Sequence, residues 1–189
     1  FRSQTGRIHA RHRIVRVWSR VFSEARARVH TERLLRNTTL PVSPADNWRM
    51  AVVATGLPCY HGLPLFCDAS VVSPFHSDGT PWNTDPTSTS VLDRAEARKK
   101  STYADISGHH GVLLVLAAEV YGRWNSIAVS LVRTLCQHQV AHLPPALRGS
   151  ASSAWSSRWW GILSCGLQQA VTDSLLAPPA TTDFRSEEH

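Results

Sequence analysis

Between residues 13 and 29 the apolar side chains Val15, Trp18, Phe22, Ala25 and Val29 recur at spacings of three and four. That stripe predicts a helix with one buried side. Arg13, Arg16 and Arg20 make a second stripe on another face of the same helix. Residues 29–35 read as a short strand, and 37–46, with Pro41 and Pro44, as a loop. Residues 50–55 form an apolar strand ending at Gly56, 58–62 a turn, and 63–72 the next strand, so the two predict a hairpin. Residues 74–90 are rich in Pro, Ser, Thr, Asp and Gly and read as a long functional or mobile loop. Helical periodicity returns over 91–105. The run VLLVLAAEV at 112–120 suits a central strand covered on both faces. Residues 126–142 read as a helix stopped by Pro144 and Pro145. Residues 145–177 read as a second helical stretch, with breaks at Gly149 and Gly161. The order is helix, three strands, helix, strand, helices, which is an α/β core with a helical extension. Residues 1–142 are expected to form one domain, 143–177 the extension and 178–189 a disordered tail.

Composition narrows the classes. Of 189 residues, 42% are apolar and 18% charged, enough to build a core and unlike a disordered tail. No apolar run approaches the roughly 18 residues of a membrane span. Cys59, Cys67, Cys136 and Cys165 contain no CxxC pair, which argues against a disulfide scaffold and for an intracellular, reducing compartment. The chain starts at Phe1 and reads as a piece of a longer polypeptide. Charge is concentrated at one end: residues 1–50 hold eleven arginines, no lysine and only Glu24, Glu32 and Asp46 as acids. Such a block suggests a polyanionic partner, most simply nucleic acid, with a solvated helix face as the plainer alternative.

Asp68 stands out inside LPLFCDASVV, on the same face as Phe66 and Val72 by alternation. A carboxylate there is costly unless paired or metal-bound. On the helix at 91–105, Leu92, Ala95, Glu96, Lys99, Thr102 and Tyr103 share one side. That side carries the apolar residues, so Lys99 is directed inward, while Lys100, roughly 100° round the helix, faces solvent. A surface pair of Glu96 with Lys99 is the plainer alternative. Cys136, His138 and His142 have the residue types of a zinc site, but their spacing favours surface histidines. Trp155, Trp159 and Trp160 are either core or a surface for stacking bases. There is no G-x-S-x-G and no Gly-rich phosphate loop.

The KxxxY of Lys99 and Tyr103, after the aspartate of CDASVVSP, resembles the restriction-enzyme-like endonuclease domain of non-LTR retrotransposon polyproteins, within the PD-(D/E)xK nuclease class. Arg11 and His12 are similar to the arginine–histidine pair before that domain's first helix. DNWRMAVVATGLP (46–58) is similar to its strand before the aspartate, and VLAAEVYGRW (115–124) to its following strand and glycine–tryptophan turn. The resemblance spans roughly residues 10–135. It implies a restriction-endonuclease-like core in which two carboxylates on adjacent strands hold Mg²⁺ and a lysine orients the attacking water or steadies the phosphorane. By this mapping Asp68 is the second acid and a metal ligand. Lys99 is the lysine, supplied from a helix because Ser70 holds its usual strand position, and Tyr103 is a supporting hydroxyl. The first acid falls at Ala51, a methyl group, so Mg²⁺ binding is expected to be weak or absent; Asp46 or Glu119 would be the substitutes. What the resemblance implies is an endonuclease-like domain that nicks DNA weakly or not at all. Its partners would be DNA and RNA, and an upstream reverse transcriptase domain, in the nucleus, with no membrane. Arg11, His12, Arg13, Arg16 and Arg20 are the expected nucleic-acid contacts. A non-catalytic binding module and a decayed reading frame are the competing readings.

Overall fold

In the computed structural model, residues 4–35, 38, 49–76, 79–82, 90–103, 106 and 110–176 are described. The elements are α1 (Gln4–Glu24), β1 (Arg28–Leu34), β2 (Arg49–Thr55), β3 (Leu65–Val72), α2 (Ser90–Thr102), β4 (Val112–Glu119), α3 (Ser126–Val140) and α4 (Pro145–Leu176). A 3₁₀ turn, Cys59–Gly62, joins β2 to β3. The expected loop at 37–46 apart from residue 38, residues 83–89 and the tail at 178–189 lie outside the described residues.

The four strands form one sheet in the order β1-β2-β3-β4. β1 and β2 pair antiparallel, as do β2 and β3, whereas β3 and β4 pair parallel from Leu65↔Val112 to Val72↔Glu119. A parallel pair needs a crossover, and α2 supplies it. The apolar stripe of α1 is buried as expected at Val15, Trp18, Phe22 and Ala25, joined by Ile14 and Val21. It packs on one face of the sheet, against Val52, Ala54, Cys67, Ala69 and Leu116, together with Leu131 and Leu135 of α3 and Trp159, Leu163 and Leu167 of α4. Leu35, Met50, Val53, Phe66, Tyr103 and Ile106 form a second core. α2 packs on β3 and β4, and its Leu92 is fully buried. The result is a mixed α/β fold of helices on a four-stranded mixed sheet.

Three expectations change. β4 is covered on both faces but is the edge strand, not a central one. Its open side is sealed by Asn125, which is 1% exposed. The Asn125 side chain accepts from the amides of Ala117 and Ala128 and donates to the carbonyl of Val115 and to Glu96. One side chain thus caps α3 and satisfies the strand edge. Second, α4 runs unbroken through Gly149 and Gly161. Glycine inside a helix costs only about 1 kcal/mol, and packing on α1 outweighs it. At Gly166 a side chain would collide with Val17, so glycine is what lets the two helices approach. Third, Trp159 is fully buried, with Trp155 5.2 Å from it ring to ring and Trp160 6.1 Å from Trp124. Of the two alternatives the structure thus takes the core one, with Trp155 and Trp160 half-buried against the core that holds Trp159. Among the described residues no helix is long and apolar enough to cross a membrane.

Candidate functional site

The β2–β3 ladder runs only over Val52↔Cys67, Val53↔Phe66 and Ala54↔Leu65. Beyond it β2 keeps its pairing to β1 as far as Leu34↔Arg49, while β3 continues with β4 to Val72. The sheet forks at this point, and Asp68 is the first residue of β3 past the fork. A cleft of about 310 Å³ opens there, lined by Arg11, Asp68, Ser70, Val72, Arg98 and Lys99 among others.

Asp68 is 1% exposed, and burying an unpaired carboxylate to that degree is prohibitive. Its partner is Lys99, whose Nζ lies 2.9 Å from Oδ2. The Ser70 hydroxyl reaches the same oxygen at 3.4 Å. The helix-face reading of α2 therefore holds for Leu92, Ala95, Glu96, Lys99 and Tyr103, whereas Thr102 is exposed and its hydroxyl turns back to the Arg98 carbonyl. Lys99 points at the sheet, and Lys100, not Lys99, takes the surface pair with Glu96, at 2.7 Å. Lys99 Nζ also stands 5.9 Å from the centroid of the Tyr103 ring. Burial raises the Tyr103 hydroxyl above its ordinary pKa, and the negative charges of Asp68 and Glu32 push the same way against the opposing charge of Arg11. Tyr103 is thus a proton-bearing donor at neutral pH, within electrostatic reach of all three groups.

Glu32 was not singled out from the sequence. It stands in β1 between the pairs Thr31↔Val52 and Arg33↔Met50, hence opposite Ala51. Its φ of 48° is the left-handed conformation that side-chain-bearing residues rarely adopt. One carboxylate oxygen pairs with Arg11 at 3.3 Å. The other, Oε1, is buried without a hydrogen-bond partner. Strain and an orphaned charged oxygen at one residue are a departure from good packing that functional sites tolerate. The weak signal in the sequence was an acid inside an arginine-rich block.

Ala51 is fully buried and groups with the core under α1, whereas its strand neighbours Met50 and Val53 group with the other core. Strict alternation thus breaks at this residue and does not by itself carry position 51 onto Asp68's face. Asp46 lies outside the described residues. Glu119 is bound by Arg123 at the far end of β4, opposite Val72.

The expected arginine stripe is not a free basic face. Arg11 pairs with Glu32, Arg13 with Asp173 of α4 at 2.7 Å, and Arg20 with Glu24 at 3.1 Å. His12 and Arg16 are exposed, and Arg16 has no ion pair among the described residues. Arg11 and Arg13 thus tie α1 to β1 and α4, while Arg20 pairs within the helix. Cys136 is buried, which pushes its thiol up to about 11 and leaves it a poor metal ligand.

Mg²⁺ requires hard oxygen donors and usually more than one anionic ligand. Asp68 and Glu32 are hard oxygen donors, Glu32 Oε1 is buried without a hydrogen-bond partner, and Arg11 of the cleft lining connects Glu32 to the cleft where Asp68 stands, so their chemistry suits such a cation. No group of three or more metal-ligating side chains occurs among the described residues.

No family model and no curated protein sequence matches this chain. Its chemistry has to be read from its own residues.

Proposed function

We propose that this chain is a nucleic-acid-handling domain of the restriction-endonuclease-like type, similar to that of non-LTR retroelements, with a site that nicks DNA slowly. The observation that carries the reading is the meeting of Lys99 and Asp68 at 2.9 Å where β2 and β3 part. A helix-borne lysine on a buried strand aspartate at a sheet fork is what the resemblance requires. The order helix, three-strand meander, crossover helix, parallel strand further supports it.

Asp68 and Glu32 would hold the divalent cation, with Glu32 on β1 standing in for the acid absent at Ala51. When bound, the cation would lower the pKa of a water and neutralise charge on the scissile phosphate. Lys99 places a fixed positive charge in the cleft, where developing negative charge on a phosphate would be stabilised. Tyr103, buried with its ring centroid 5.9 Å from Lys99 Nζ, would support that lysine from the core side. Arg11 and Arg98 line the cleft and suit phosphate contacts. The rate is expected to be low because both carboxylates are already partly neutralised, Asp68 by Lys99 and Glu32 by Arg11.

Relaxation of supercoiled plasmid in Mg²⁺ or Mn²⁺ tests the proposal. Slow nicking by the native chain, abolished in Asp68→Asn and in Lys99→Met, is the expected result. Nicking that survives Asp68→Asn would refute the assignment. Ala51 favours a second reading, a binding module without catalysis. That reading predicts DNA binding by the native chain with no nicking under either metal.

A further inference from the structure

Beyond the cleft, the ends of β3 and β4 carry a group of aromatic side chains, two of them exposed. Tyr121 is 72% exposed and Phe75 38% exposed, and their rings meet edge to face at 6.1 Å. Next to them His76 stacks on Trp82 with centroids 3.6 Å apart, and the Arg94 guanidinium lies over the Trp82 ring at 4.9 Å. Large aromatics are rarely left in solvent without a reason, and here the backbone holds them there. The segment from Pro74 to Trp82 closes on itself through the Phe75↔Pro81 bridge, with the His76 amide donating to Thr80 and the Trp82 amide to Pro74. Tyr121 sits in a turn in which the Gly122 amide donates to Glu119, the Glu119 amide to Arg123, and the Val120 amide to the Val72 carbonyl. Gly122 has a φ of 100°, which this turn needs and which other residues adopt only with strain.

The group is continuous with the cleft. Val72 lines the cleft and leads into Phe75, while Arg98 lines the cleft one helical turn from Arg94. A path of positive charge therefore runs from Lys99 through Arg98 and Arg94 to flat aromatic faces. Phosphates spaced along a strand match the charges, and unpaired bases match the rings. A duplex would keep its bases stacked on one another and could not use them.

We infer that Phe75 and Tyr121, flanked by the His76–Trp82 pair, form a stacking platform for the unpaired bases of a nucleic-acid strand that passes through the Asp68–Lys99 cleft. This deepens the proposed nucleic-acid function and rests on it. Each stacked base should strengthen binding roughly tenfold, with little regard to base identity.

The experiment is fluorescence anisotropy with three probes: a short oligodeoxythymidine, an abasic strand of the same length, and a blunt duplex. The native chain should bind the thymidine strand at least about tenfold more tightly than the abasic strand. Tyr121→Leu and Phe75→Leu should each remove most of that preference without changing abasic binding, and Tyr121→Trp should retain it. On the unaltered protein, photocrosslinking of a bromouracil-containing strand should map adducts to Phe75, His76, Trp82 or Tyr121. Equal affinity for the thymidine and abasic strands, or adducts confined to other surfaces, would overturn the platform while leaving salt-dependent nucleic-acid binding in place. Absence of binding to all three probes would overturn the nucleic-acid reading and the platform with it.

Discussion

Removing Lys99 from its pair with Asp68 should cost far more than removing a surface ion pair, and removing both should cost less than the sum. At 2.9 Å and an effective dielectric of about 20, the Coulomb attraction is ~6 kcal/mol. Most of that offsets the desolvation of a carboxylate that is almost entirely buried. The net worth of the pair is therefore small, but the cost of breaking it is not. Lys99→Met keeps the stem of the side chain and deletes the charge, leaving Asp68 with only the Ser70 hydroxyl at 3.4 Å. The expected loss is about 3 kcal/mol, near the low end for an orphaned buried charge because the cleft admits water. Asp68→Asn leaves Lys99 able to swing its head outward, since its side chain is 30% exposed. About 1 kcal/mol is expected for that change. The double variant should then fall short of additivity by ~2 kcal/mol. Urea unfolding followed by tryptophan fluorescence measures all four proteins, and a constant slope keeps the comparison valid. Additivity within about 0.5 kcal/mol would refute the reasoning, because two side chains that do not interact behave in that way.

Glu32→Gln should weaken Mn²⁺ binding at least about tenfold by calorimetry while changing stability little, since it removes an anionic donor but only a half-exposed ion pair. Glu24 is held down from 4.5 to about 2, chiefly by hydrogen bonding from Arg158, against an opposing effect of burial, with help from Arg20 and Trp159. Its contribution is complete above its unfolded value and is lost as the pH falls from about 4.5 towards 2. Glu24→Gln should flatten stability in that window by ~1 kcal/mol, a figure kept low because both guanidinium partners are half exposed. Asn125→Ala should cost about 3 kcal/mol in denaturant unfolding, from a lost helix cap and orphaned strand-edge groups at Ala117 and Val115. Gly166→Val should destabilise by ~1–3 kcal/mol by pressing α4 away from Val17, read as a lower thermal midpoint.

By itself the chain's pattern determined the elements and the inward direction of Lys99. Periods of three to four and of two are local geometry, so a single element's buried face is written into its own residues. That was enough to place the apolar side of α1, to pair β2 with β3, and to set Lys99 and Lys100 roughly 100° apart round their helix. It was not enough for anything that depends on which elements lie side by side. Arg13 meets Asp173 across 160 residues, so one member of a stripe that reads as a phosphate-binding face fastens α1 to α4. Glycines that read as breaks in α4 are tolerated because α1 packs along the helix. β4 has the composition of a central strand but stands at the edge, because α2, α3 and Asn125 cover what a neighbouring strand would have covered. Glu32 is one acid among arginines until strand pairing sets it opposite Ala51 and α1 brings Arg11 against it. Charge pairing acts through space with no period along the chain, and only the tertiary fold decides which charges meet.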